Sequence, residues 1–150
     1  MEKAKKNLLV LSILILATTA LSLIMNCITA FTGGLVVTQL PTDAEQLGLT
    51  LDVYQILAYV TFGITLLVFL PNVFVGLRGI KMSNAPEKTK GHIIWAIILL
   101  ASSVVTVLTH IPQAISAPNF NHIWTTIDKA IDVLVFGAYA YYAILVYREA

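Results

Sequence analysis

Four apolar stretches, each long enough to cross a bilayer and joined by short segments rich in charge and turn residues, constrain this chain more than any motif in it. A helical span takes about 20 mostly apolar residues to cross a hydrocarbon layer of about 30 Å. The segments that qualify run roughly over 8–31, 54–77, 92–116 and 127–147. With 58% of residues hydrophobic and only 11% charged, the chain reads as an all-α polytopic membrane protein and not as a soluble core. Its 150 residues leave little outside the spans, so a single four-helix membrane domain is expected.

The first and third stretches resemble one another. Residues 13–31 (ILILATTALSLIMNCITAF) align with 97–115 (IILLASSVVTVLTHIPQAI). Leu16-Ala17-Thr18-Thr19 falls on Leu100-Ala101-Ser102-Ser103, Ser22 on Thr106, Asn26 on His110 and Ala30 on Ala114. The small polar positions recur together, which shared apolarity alone does not require. The expectation is a four-transmembrane-helix bundle of two tandem parallel-repeat hairpins, units about 3–80 and 87–148, related by an axis along the membrane normal.

Basic residues set the expected orientation. Lys3, Lys5 and Lys6 precede the first span, Arg78, Lys81, Lys88 and Lys90 lie between the second and third, and Arg148 follows the fourth; Lys129 alone falls on the other side. The positive-inside rule places both termini in the cytoplasm of a multi-pass cell-membrane protein. A basic start, an apolar run and Ala17-Thr18-Thr19-Ala20 also fit a cleavable signal peptide. The run is too long for one and is repeated in the third span, which favours a retained helix. Cys27, the single cysteine, follows Asn26, too large for a lipoprotein site, and reads as a packed thiol. A net charge of +1 argues against a nucleic-acid partner.

Between the spans, Gly33-Gly34 frees the backbone to turn, and Leu35-Val36-Val37 is apolar enough either to lie on the bilayer surface or to fold back over the bundle. Thr42 with Glu45 has capping-box spacing and predicts a short surface helix. Asp52 with Gln55 marks Asp52 as N-cap of the second span, and Thr125 with Asp128 marks the start of the fourth. Pro71 removes a backbone donor inside the second span and predicts a kink, with Asn72 placed to satisfy a freed carbonyl; this pair is also a candidate hinge. Pro112 is expected to bend the third helix. Trp95, Trp124 and Tyr147 fall at belt depths, and Tyr139, Tyr141 and Tyr142 lie deeper, where each hydroxyl needs a partner.

Two polar stripes are the candidate packing seams: Thr18 and Ser22 leading to Asn26 on the first span, Ser102 and Thr106 leading to His110 on the third. Residues four apart share a helix face, and small residues at that spacing let helices approach. The alternative is a polar cleft open to the outside, lined by Asn26, His110, Gln113 and Asp132. Counting rises of about 1.5 Å per residue from the inner ends puts His110 about 25 Å above His92 and Asp132 about 23 Å above Tyr147. An ionisable group at such depth usually has a partner, so a hydrogen bond between His110 and Asp132 is expected.

Metal and cofactor sites are not expected. His92, His110 and His122 are split between the two ends of a span and a loop, which suits neither zinc nor haem. Neither HExxH nor GxSxG occurs. The sequence thus points to a non-enzymatic small integral membrane protein acting as an accessory, regulatory or assembly subunit through helix packing, its partners the lipid bilayer and another membrane protein or a second copy. The competing expectation is a small transporter or channel subunit with its outward-facing cleft near His110 and Asp132.

Overall fold

In the computed structural model of the protein, residues 2–150 are described apart from Gly34, Val37 and Asn119. Those three belong to the expected glycine turn, to the apolar loop segment and to the second short loop, and lie outside the described residues. The chain runs α1 (Glu2–Gly33), α2 (Thr42–Gln46), α3 (Leu51–Val68), α4 (Leu70–Asn84), α5 (Gly91–Ser116) and α6 (Phe120–Glu149), with no strand among the described residues. Four helical stretches, with α3 and α4 counted as one, are long and apolar enough to cross a membrane.

The break between α3 and α4 has a local cause. Pro71 has no N–H to give to the carbonyl of Leu67, and its ring crowds that carbonyl. The chain tightens just before it: Phe69 N–H reaches Leu66 O at 3.2 Å, one residue short of the α-helical partner. Asn72 beside it keeps its Oδ1 enclosed and unbonded. Pro112, by contrast, sits inside an α5 that continues to Ser116.

Helix starts differ from the sequence expectation in two places. The N-cap of α3 is Thr50, whose hydroxyl accepts from Val53 N–H at 3.4 Å, and Asp52 lies in the first turn instead. Thr50 takes the role because its backbone is extended, as a cap requires, whereas Asp52 is already helical. α6 begins at Phe120, so Thr125 and Asp128 are interior. The short helix predicted at Thr42 forms as α2, preceded by Pro41 and without a side-chain cap.

The chain divides into two compact units, one of residues 1–17 with 71–150 and the other of residues 18–70. In the second, the carbonyl of Leu35 accepts from Gln55 Nε2, and Phe31 meets Phe62 edge-on with ring centroids 6.4 Å apart. Leu35 is buried and Val36 exposed, so this stretch folds back onto its own unit at Leu35.

The first unit holds the main apolar core. Leu8 and Ile15 of α1, Val75 and Met82 of α4, Ile93 and Ala96 of α5, and Phe136, Tyr139, Ala140, Ala143 and Val146 of α6 form one cluster. Two glycines let α4 into it. A Cβ on Gly76 would stand 2.6 Å from Leu16 Cγ, and one on Gly79 would run into Ser12 Oγ and stand 2.6 Å from Tyr139 Cε2. Small residues at such points are what allow apolar helices to close on each other. This core lies at the end of the unit that carries Arg78, Lys81, Lys88, Lys90 and Arg148, called here the basic end. Along α5 and α6 no described residue from Val104 to Val135 is buried.

Candidate functional site

Two members of the polar stripes bond along their own helices. Thr106 Oγ1 donates to Ser102 O at 2.9 Å, and Asn26 Nδ2 donates to Ser22 O at 2.8 Å. Thr65, Thr32 and Thr126 likewise donate to carbonyls four residues back. In an apolar surrounding this is the local answer to a hydroxyl's need for an acceptor, since the i−4 carbonyl is always within reach. Ser102 is exposed; Thr18, Ser22 and Thr106 are half-buried. Asn26, exposed on α1, belongs to the second unit with Thr18 and Ser22, and the remaining stripe residues to the first.

His110 and Asp132 have different neighbours from those expected. The His110 ring faces His122 with centroids 6.3 Å apart, and its Nδ1 is enclosed without a hydrogen-bond partner. Asp132 Oδ2 accepts from Lys129 Nζ at 2.7 Å, and the same ammonium stands 3.6 Å from Asp128 Oδ2. Ten residues of α6, about 15 Å of rise, separate Asp132 from His122. The expected hydrogen bond is therefore replaced by a charge-assisted contact within one turn of α6. Equating the depths of His92 and Tyr147 misled the arithmetic, because His92 packs beside Tyr139, two turns earlier on α6. Gln113 is exposed near the end of α5, where its carbonyl accepts from Ala117 N–H at 2.9 Å.

The most enclosed polar groups lie at the basic end. Tyr139 is fully buried and donates its hydroxyl to Val75 O at 2.9 Å. His92 is 1% exposed, stands edge-on to the Tyr139 ring at 6.2 Å, and keeps its Nε2 unbonded. Ser12, also buried, donates to Leu8 O at 2.6 Å while its Oγ rests where a side chain on Gly79 would be. Ser12, Gly76 and Gly79 do not stand out in the sequence, and His92 enters there only as a depth marker and an unsuitable metal ligand. The available signal was Gly76 and Gly79 one turn apart below Pro71, a small face on an otherwise bulky helix. The partner that the sequence demands for the Tyr139 hydroxyl is the backbone carbonyl of Val75.

Outside the helices, Glu87 bonds Lys81 at 2.8 Å and lies 4.0 Å from Arg78. The Lys81 ammonium on its carboxylate, with Arg78 adding to it, holds Glu87 below the usual glutamate range. Among the described residues, no three His, Cys, Asp or Glu side chains gather as a metal ion would need. No protein-family model, curated protein or solved structure matches this chain.

Proposed function

We propose that this chain is a small non-enzymatic integral membrane protein, with both termini on the cytoplasmic side, that works as an accessory, regulatory or assembly subunit by packing a helix face against another membrane protein or a second copy. Two tandem hairpins, as the internal resemblance suggests, supply its four spans. The observation that carries this reading is α3: none of its 18 residues is buried, and a Cβ added at Gly63 would meet nothing within 4 Å. Apolar exposure alone is what lipid requires. A glycine facing open space in mid-span is different, because in lipid it supplies neither packing nor helix propensity, and its common use is close approach of a second helix.

Cysteine crosslinking tests it. With Cys27→Ser removing the native thiol, Gly63→Cys should form a disulfide-linked or bridged adduct in native membranes, and Ile64→Cys, one helical step round, should form far less. Equal, trace-level reaction at both positions would refute packing through this face.

A second reading, a small transporter or channel subunit, is favoured by the unpartnered Nδ1 of His110 beside His122 and by the charges of Lys129 and Asp132 within an apolar helix. Its test is solute and proton flux in liposomes holding the purified protein, with Asp132→Asn alongside. Flux lost in the variant supports transport; its absence in the wild type across ions and small solutes removes this reading.

A further inference from the structure

At the basic end, the first turns of α5 and the last turns of α6 flank an open surface cleft of about 240 Å³ lined by Lys90, Ile93, Ile94, Ile144, Tyr147 and Arg148. Its wall is almost wholly apolar, and its two ionisable lining groups besides the tyrosine are both cations. Lys90 Nζ lies 5.6 Å from the centre of the Tyr147 ring, held at the rim by attraction to the ring face. Lys90 and Arg148 are exposed, while Ile144 and Tyr147 are half-buried and Ile93 is buried. Glu87, on the loop before α5, is taken up by Lys81 and Arg78.

We infer that this cleft is a binding site for an anionic glycerophospholipid, its phosphate between Lys90 and Arg148 and the start of an acyl chain against Ile93, Ile94 and Ile144. The occupant follows from the pairing of charge and greasiness. A soluble anion has no use for three isoleucines, and a zwitterionic lipid brings its own cation against the two already at the rim. The site rests on the membrane reading above, under which this end faces the cytoplasmic leaflet, where anionic lipids give each nearby cation about a fivefold gain in association. Tyr147 suits the same level, its ring against the chain and its hydroxyl toward the headgroup.

Native mass spectrometry of the full chain released from micelles, titrated with phosphatidylglycerol and separately with phosphatidylcholine, tests the inference. The wild type should retain phosphatidylglycerol at roughly 25-fold lower concentration than phosphatidylcholine, the product of the two cations' gains, and Lys90→Gln with Arg148→Gln should abolish that preference. Lys3→Gln with Lys5→Gln removes the same charge near the N-terminus and should leave it intact. Ile94→Trp, which fills the cleft without changing charge, should also weaken retention. Equal retention of the two lipids by the wild type would overturn the site, as would equal losses in the two charge pairs. Alkaline extraction of membranes separates this failure from the larger one: protein that stays with the bilayer but shows no lipid preference loses only the site, whereas protein released from the bilayer loses both.

Discussion

The hydroxyl of Tyr139 on α6 donates to the backbone carbonyl of Val75 on α4 at 2.9 Å, joining residues 64 positions apart inside the core of the first unit. That carbonyl lies one turn beyond Pro71, on the stretch of α4 that the glycines bring close to α1 and α6. The bond ties the part of the second span after its break to the helix that ends the chain.

Removing the hydroxyl should cost little more than the bond itself. Tyr139→Phe keeps the ring and the edge contact with His92, so we expect a loss of about 1 kcal/mol, within the usual range for one net hydrogen bond. Unfolding of the wild type and variant in mixed micelles measures it; no change at all would mean the bond adds nothing to stability.

The close approach at Gly79 should be far less forgiving than the open space at Gly63. Gly79→Ala drives a methyl group into Ser12 and Tyr139 and should destabilise by about 1–3 kcal/mol. Gly63→Ala, with nothing near, should leave the isolated chain unchanged or slightly more stable, since alanine is the better helix former. Adding Ser12→Gly to Gly79→Ala should recover part of the loss, a non-additivity that residues in contact are expected to show.

Asp132 should be coupled to Lys129 and not to His110. A double-mutant cycle of Asp132→Asn with Lys129→Met is expected to give about 1 kcal/mol of coupling, between the values for exposed and buried pairs. The cycle of Asp132→Asn with His110→Gln should be additive within about 0.5 kcal/mol. Thermal unfolding of the wild type, the three single variants and the two doubles decides between the two partners.

Glu87 gives the acid-side prediction. Lys81 and Arg78 lower its pKa in the folded state, so the unfolded chain takes up its proton first as pH falls, and the ion pair's contribution is complete above the unfolded value. It is lost as pH drops through the lower, folded value. Carboxyl titration by NMR should place Glu87 below an ordinary glutamate, and Lys81→Ala should move it back up. Because the group is exposed, salt should shrink the difference.

The four apolar helices were readable from the chain because hydropathy is summed over consecutive residues and needs no knowledge of neighbours. α1, α5 and α6 each contain a predicted span, and 54–77 straddles the break made by Pro71. Pro71 itself was readable for the same reason, its effect being confined to its own turn. The candidate site was harder. Asp132 has a partner three residues away in Lys129, visible in the sequence, yet depth arithmetic favoured a histidine on another helix. Thr106 and Asn26 each bond a carbonyl of their own helix, a partner the stripe pattern does not reveal. A polar side chain in an apolar segment demands a partner, and the linear sequence does not rank the local carbonyl against a distant group.

By itself, then, the sequence determined the number and extent of the long apolar helices, the segregation of basic residues to one end, and the helix break at Pro71, since each depends on residue type and order along the chain. Only the tertiary structure decided that Gly76 and Gly79 admit α4 to the core, that Tyr139 bonds Val75, that His92 is sealed beside it, and that Lys90 and Arg148 rim one apolar cleft. Those facts depend on rotation and register between helices. A shift of one residue turns a side chain by about 100°, enough to exchange a buried partner for open surface while leaving every helix in place.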